Sequence, residues 1–329
     1  MALFLGVDGG GSKTEFVLVD GDGRVRARVR GGSSYYFGEG LDLVRRVLAD
    51  GVARVTAEAG IEATDIDRAF FGLPGYGEVS ADVAALDALP REVLGHARST
   101  SDNDMVCGWA GSLAAADGIN VISGTGSMTY GRRRGRGHRV GGWSELFGDE
   151  GSGYWVGIRG LNAFTRMSDG RLPRGPLHEL MRTRTGVGAD LDLIDVVMND
   201  WKGRRADIAA LSTTVVAAAG QGDAVAERIL ADACRELVEL VRATRTHLGF
   251  ADDEVVPVSC SGGMFDAEPL RHGFREMLAA EPTPTDLRRP VLGPGVGAAL
   301  YAATIAGTPL SAAAVDALRA DAVTAPPTP

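Results

Sequence analysis

Residues 3–19 read LFLGVDGGGSKTEFVLV, an apolar run over 3–8, the triplet Gly9-Gly10-Gly11, and a second apolar run over 14–19. Short apolar runs on either side of a glycine-rich turn are buried strands of a hairpin. Gly21-Asp22-Gly23 then turns the chain, and residues 24–30 alternate basic and apolar side chains as a half-exposed third strand. The same order returns after residue 117. Residues 119–123 are a strand, Gly124-Thr125-Gly126-Ser127 is the turn, 128–132 the next strand, Gly135-Arg136-Gly137 a second turn, and 138–140 the start of a third strand. Two meanders, each opening with a strand that runs into a Gly-rich turn, point to an internal duplication of a phosphate-cradling unit. Two ordinary meanders would give the same pattern without a ligand.

Outward from these meanders, the chain alternates helices and strands. Apolar spacing predicts helices over 41–59, 83–94 (broken near Pro90), 177–184, 190–199, 206–219, 223–248 and 266–279. Strands are expected over 68–73, 96–102 and 254–260, and a closely packed helix from Pro294 to about residue 306. At 329 residues, roughly 150 per domain gives about two domains. We expect an α/β protein with an N-terminal domain over 1–117, onto which a helix at 295–307 packs back. The C-terminal domain is expected over 118–294 with a helical insertion, followed by a flexible tail at 320–329.

Composition narrows the function. With 34 Lys+Arg against 43 Asp+Glu, the net charge is −9, a poor match to nucleic-acid binding, which needs clustered cations. The one basic run, Arg132 to Arg139, sits on an expected hairpin tip and reads as a solvated turn. Cys107, Cys234 and Cys260 are far apart, with no CxxC, which argues against a disulfide framework, a clustered zinc site or a four-cysteine iron–sulfur site. They read as small buried hydrophobes. The apolar start is one strand long without a basic flank, and no stretch approaches about 20 apolar residues, so a cytoplasmic protein without membrane partners is expected.

Five segments carry the chemistry. In Asp8 to Thr14, residues without Cβ let an anion approach the backbone N–H groups of a turn. Ser12 and Thr14 add hydroxyls, Lys13 a cation, and Asp8 could hold Mg²⁺ through water. Gly124, Thr125, Gly126 and Ser127 repeat the logic. Gly262 and Gly263, between a strand and a helix, would let a flat ring lie on the backbone, or are a simple turn. Asp104, at a strand end, suits a general base that takes the proton of an acceptor hydroxyl, or caps the helix starting near Met105. Finally, Gly141-Gly142-Trp143 and Gly148-Asp149-Glu150-Gly151-Ser152-Gly153 combine carboxylates that accept from sugar hydroxyls with a flat apolar face. They are also a plausible acidic helix start.

DGGGSKTE, ISGTGS, GGW, GDEGSGYW and the Ser-Gly-Gly turn, in this order, resemble the N-acetylglucosamine kinase branch of the BadF/BadG/BcrA/BcrD ATPase family, within the hexokinase–actin–Hsp70 superfamily. The resemblance implies two ribonuclease H-like domains (an actin-like ATPase fold), each a five-stranded mixed sheet flanked by helices, with ATP in an interdomain cleft. It implies that Gly10, Gly11, Ser12, Lys13 and Thr14, with Gly124, Thr125 and Gly126, bind phosphates, that Gly262 and Gly263 bind adenosine, and that Asp8 is the acid associated with Mg²⁺. Asp104 matches the catalytic base. Gly142, Trp143, Asp149 and Glu150 match sugar contacts, and Ser127 and Met128 border the same pocket. Three positions depart from the mammalian N-acetylglucosamine kinases: Tyr35 and Met128 stand where those carry Asn, and Val140 where they carry Cys. The expected activity is therefore an ATP-dependent sugar kinase acting on an amino sugar, N-acetylglucosamine first, with glucosamine or glucose as alternatives, and a homodimer as the expected assembly. An ATPase activator or a non-catalytic sugar-binding protein is the alternative of another class.

Overall fold

The computed structural model describes residues 1–324, and side chains over 1–321. The chain divides into two compact units, Met1–Asp117 with Arg289–Pro329, and Gly118–Arg288.

The first unit is built on β1 (Leu3–Gly9), β2 (Thr14–Asp20) and β3 (Val25–Gly31), the expected meander. It continues through α1 (Leu41–Ala59), β4 (Arg68–Leu73), α2 (Val83–Leu94), β5 (Ser99–Asn103) and α3 (Met105–Ser112). The sheet order is β3-β2-β1-β4-β5. β1 pairs antiparallel with β2 and parallel with β4, and β4 is parallel to β5. This mixed order is that of a ribonuclease H-like domain. The apolar stripe of α1 buries Val44, Leu48, Val52 and Val55 against Leu5, Val7, Phe16 and Phe71 of the sheet. Each such side chain contributes about 1.5–3 kcal/mol on leaving water.

In the second unit β6 (Gly118–Ser123), β7 (Ser127–Arg133) and β8 (Arg136–Gly141) repeat the meander. α4 (Gly153–Ser168), α5 (Pro176–Thr185), α6 (Leu193–Asp195), α7 (Arg205–Ala210), α8 (Ser212–Gly220) and α9 (Ala224–Leu248) follow, then β9 (Val256–Ser261), α10 (Glu268–Ala279) and β10 (Thr285–Arg288). The order β10-β9-β6-β7-β8 is the first sheet's pattern again, with antiparallel meander pairs and parallel β6–β9 and β9–β10. α9 forms the spine, burying Ile229, Leu230, Ala233, Leu237 and Val241.

α11 (Pro294–Ile305) and α12 (Ala312–Thr324) complete the first unit. α11 lies so close to β1 that a Cβ on Gly6 would sit 2.2 Å from the Ala299 nitrogen. Here the boundaries differ from expectation. Residues 289–294 belong to the first unit, where the Val291 and Leu292 N–H groups donate to the carbonyls of Ser112 and Gly111 at 3.1 and 3.0 Å. Residues 320–324, expected in a flexible tail, end α12, whose Leu318 is buried and whose Ala314 carbonyl abuts Gly23. The remainder of that tail, 325–329, lies outside the described residues.

Other local expectations are corrected too. Pro90 does not break α2; it lies buried within a continuous helix. The helix expected over 190–199 is a 3₁₀ turn, the single turn of α6 and a π-helical stretch, Val196–Asp200. The helix expected over 206–219 divides at Leu211 into α7 and α8. β10 and α12 carried no periodic signal strong enough to predict them. Among the described residues, no helix is long and apolar enough to cross a membrane.

Candidate active site

In the first unit the candidate residues gather at one end of the sheet. Asp8, one residue before the end of β1, lies opposite Glu15 of β2 and beside Gly72 of the parallel β4. Gly72 in turn pairs with Asp102 of β5, one residue before Asn103 and two before Asp104. Gly72 lets this corner close: a Cβ there would lie 2.2 Å from Cys107 Sγ and 3.1 Å from Asp104 Cα.

Asp104 occupies the N-cap position of α3, yet its side chain makes no cap hydrogen bond. Asn103 does that work instead, its Oδ1 accepting from the Met105 N–H at 3.2 Å. The capping explanation for an acid at this position therefore falls to its neighbour. Burial, followed by the charges of Asp104 and Glu15, pushes the Asp8 carboxyl well above the ordinary carboxylate range, while the nearby Cys107 thiol, which donates to the Val7 carbonyl at 3.5 Å, and the Lys13 cation oppose the shift. Burial also raises the Cys107 thiol, so it stays a protonated donor. Asp8, Asp104 and Glu15 thus gather near Lys13, with Arg30 3.7 Å from Glu15. Among the described residues no group of three or more His, Cys, Asp or Glu could hold a metal ion. Asp8 could hold Mg²⁺ only in the mode in which one or two carboxylates contribute and phosphate and water supply the rest.

The β1–β2 turn is open. Gly11, Ser12 and Lys13 are exposed. A Cβ on Gly11 would meet nothing within 4 Å, and its φ is not in the left-handed region, so neither packing nor backbone demands glycine there. Close approach of a ligand to the backbone remains as a reason for it. Thr14, by contrast, is buried and its hydroxyl donates to Ser34 Oγ at 3.0 Å, while Ser33 Oγ donates to the Gly10 carbonyl at 3.1 Å. These bonds strap the segment carrying Tyr35 to the turn. Tyr35 is exposed and packs edge-on against Phe37, ring centroids 5.1 Å apart.

In the second unit the β6–β7 turn is clamped. The Gly153 and Tyr154 N–H groups, at the start of α4, donate to the carbonyls of Gly124 and Thr125 at 2.7 and 3.3 Å. Ser127 is buried: its N–H donates to Asp149 Oδ1 at 3.3 Å and its hydroxyl to the Glu150 carbonyl at 2.6 Å. Gly262, at φ +98°, packs its α-carbon onto the Ser123 carbonyl, where a Cβ would lie at 2.3 Å. The Ser-Gly-Gly turn is thereby seated on the same loop. Gly124 and Gly263 keep open faces, with no atom within 4 Å of a Cβ at Gly124 and only Asp266 Oδ2 at 3.9 Å for Gly263.

The sugar candidates lie around this loop. Asp149 is 2% exposed and sits at φ +57°, a region disfavoured for side chains but tolerated by Asp. Its second oxygen pairs with Arg205 of α7, a residue sequence reading missed. Burial raises the Asp149 carboxyl above its ordinary range, against the pull of Arg205 and the Ser127 hydrogen bond. Glu150 is half-buried, and Trp143 is 71% exposed. Met128 Cε approaches Gly142, where a Cβ would stand 2.9 Å away. Arg139 holds this turn through the carbonyls of Gly141 and Gly142, and Arg133 pairs with Glu254 at 2.7 Å. Two members of the basic run read as a solvated turn are therefore structural. Cys107 and Cys234 are buried and Cys260 is half-buried, with burial pushing the Cys260 thiol up to about 12.

Comparison with known proteins sets this geometry in context. The chain is 31% identical over 279 residues to the N-acetylmuramic acid/N-acetylglucosamine kinase of Clostridium acetobutylicum, covering 84% of this chain and 90% of that protein. It is 28% identical over 315 residues to the N-acetyl-D-glucosamine kinase of Dictyostelium discoideum, covering 91% and 97%. Its fold matches a candidate N-acetylglucosamine kinase of Chromobacterium violaceum with a TM-score of 0.70 at 27% identity, over 91% of this chain and 98% of that one. The model of the BadF/BadG/BcrA/BcrD ATPase family matches residues 5–302, and the chain, with its duplicated five-stranded sheet and paired glycine turns, belongs to that family.

Proposed function

We propose that this protein is an ATP-dependent kinase that phosphorylates the primary hydroxyl of an amino sugar, N-acetylglucosamine first. The observation that carries the reading is Asp104, a carboxylate at a strand end beside Asp8, in a chain similar to an N-acetylmuramic acid/N-acetylglucosamine kinase and an N-acetyl-D-glucosamine kinase.

In this reading the open turn Gly10 to Lys13 and the clamped turn Gly124 to Gly126 bind the phosphates of ATP. Gly262 and Gly263 support the adenosine, and Asp149, Glu150 and Trp143 bind the sugar. Asp104 accepts the proton of the sugar hydroxyl as its oxygen forms a bond to the γ-phosphorus, and the bond from that phosphorus to the bridging oxygen of ADP breaks. Phosphoryl transfer asks little more of a protein than positioning and charge neutralisation. Asp8 would hold Mg²⁺ through water, and the ion would supply neutralisation of phosphate charge. Lys13 and the turn N–H groups add to it. Tyr35 and Met128, in place of asparagines, bear on which sugar is preferred, because a lost hydrogen-bond partner changes discrimination by orders of magnitude. The protein is proposed to act in the cytoplasm as a homodimer, which light scattering on purified protein checks.

The test is Asp104→Asn. It should bind nucleotide with an affinity within about threefold of wild type and lose 10²–10⁴-fold in turnover, the range for a removed general base. Turnover equal to wild type would remove Asp104 from the reaction.

A further inference from the structure

We propose, resting on the kinase reading above, that Arg205 is a positioning residue for the acceptor sugar: it fixes the Asp149 carboxylate against Gly126 and Ser127. Nothing in the sequence near the glycine turns or the GDEGS segment points to it. Fifty-six positions separate the pair, and the fold brings them together.

Packing of α7 onto α4 places the arginine. A Cβ on Gly157 of α4 would lie 2.1 Å from the Ile208 carbonyl of α7, so the two backbones touch, with Ile208 buried. The N-terminus of α4 is capped by Ser152, whose hydroxyl accepts from the Trp155 N–H at 3.1 Å, and carries the GDEGS segment directly before it. Arg205, the first residue of α7, therefore faces that segment. One guanidinium nitrogen pairs with Asp149 Oδ2, and Nε lies 3.5 Å from Glu145 Oε2. A Cβ on Gly126 would stand 2.3 Å from the Arg205 guanidinium and 2.8 Å from Asp149 Oδ2, so glycine in the turn is what admits the pair.

The electrostatics give the pair its role. The Asp149 side chain is 3% exposed and Arg205 37%. Arg205 is thus the more exposed partner of an ion pair whose carboxylate is buried, with its Nε itself buried. Removing one partner of such a pair leaves a buried uncompensated charge. Glu145 and Glu150 oppose its ionisation, while the Ser127 N–H favours it alongside Arg205. An ionised carboxylate has about four acceptor sites. Arg205 and Ser127 take two, leaving others for hydroxyl donors of a sugar. Without Arg205, Asp149 takes up a proton at higher pH and loses its fixed direction.

The experiment titrates N-acetylglucosamine at saturating Mg-ATP, and ATP at saturating sugar, from pH 5 to 9 for wild type, Arg205→Ala and Arg205→Lys, with thermal melts of each. Arg205→Ala should raise the sugar KM about tenfold or more, leave the ATP KM within about threefold, and move the acid limb of kcat/KM for sugar to higher pH. Arg205→Lys should restore most of the pH profile. If Arg205→Ala does not fold, Arg205→Met, which keeps the aliphatic stem, takes its place. An unchanged sugar KM and pH profile in the alanine or methionine variant would overturn the inference. So would an equal loss for both substrates that lysine does not rescue, which marks a purely structural role. Wild-type protein inactive on every sugar would instead break the kinase reading itself.

Discussion

The two glycine turns occupy equivalent points of the duplicated fold and are built in opposite ways. In the first ladder Asp8 faces Glu15 and Gly9 faces Thr14; in the second Ile122 faces Met128 and Ser123 faces Ser127. The final pair does the same job in both units: Thr14 and Ser127 are buried, and each donates its hydroxyl to the segment that follows the meander or its extension, Ser34 in one and Glu150 in the other. One step back along the ladder the chemistry separates. The first unit has two carboxylates there, the second an isoleucine and a methionine. The first turn is open at Gly11, whereas the second is pinned by α4, the Ser-Gly-Gly turn and the Arg205–Asp149 pair. One scaffold thus yields an open turn flanked by two carboxylates and a clamped one flanked by an isoleucine and a methionine.

The largest effect should come from breaking the acidic side. Asp104→Asn is expected to cost about 10³-fold in turnover, measured by coupled ADP release, while the same assay on Glu150→Gln loses mainly sugar affinity. Next come the two turns themselves. Gly11→Val should leave the melting temperature within about 2 °C of wild type, because a side chain there meets open space, yet raise the ATP KM about tenfold by blocking approach to the backbone. Gly126→Ala should do the reverse first. Its Cβ would stand 2.3 Å from the Arg205 guanidinium and 2.8 Å from Asp149 Oδ2, so the ion pair must shift, visible as a lower melting temperature before any substrate is added. Equal melting shifts for the two variants would erase the contrast between the turns.

The smallest effect concerns the helical insertion that only the second unit carries. Asp190 bonds to the buried His178 at 2.9 Å and lies within 3.3 Å of both Arg174 and Arg182. Burial pushes its carboxyl up, but the hydrogen bonds from His178 and Ser168 and the nearby charges outweigh this, leaving it below the ordinary range. A depressed folded-state value means the stabilisation is present above the unfolded value near 3.9 and is lost as pH falls through the folded value. Asp190→Asn should therefore melt below wild type at pH 7, with the gap closing under about pH 4. A constant gap across that range would show that Asp190 contributes by shape rather than charge.

Much of the architecture was legible because periodicity and glycine placement report burial directly. α1 and β4 fall where the apolar spacing put them, and both meanders were readable from their turns. Edges were harder. β10 is four residues long, with Asp286 and Arg288 in it, so no apolar alternation marks it. The 3₁₀ turn, α6 and the π-helical turn keep Leu191, Ile194 and Met198 exposed while Leu193 is buried and Val196 and Val197 pack on the core, so the apolar spacing marks a stripe only partly used. The candidate site shows the same division. Glycines and acids at strand ends announce themselves locally, but Arg205 reaches Asp149 only through the packing of α7 on α4. Likewise, whether Asp104 or Asn103 caps α3 depends on a side-chain rotamer that spacing does not encode.

The most direct measurement is coupled ADP release with Mg-ATP across N-acetylglucosamine, glucosamine, N-acetylmannosamine, glucose and N-acetylmuramic acid. An amino-sugar kinase gives strong release with N-acetylglucosamine and little without sugar, and Asp104→Asn abolishes it. Silence across the whole panel from folded protein that still binds ATP would contradict that function.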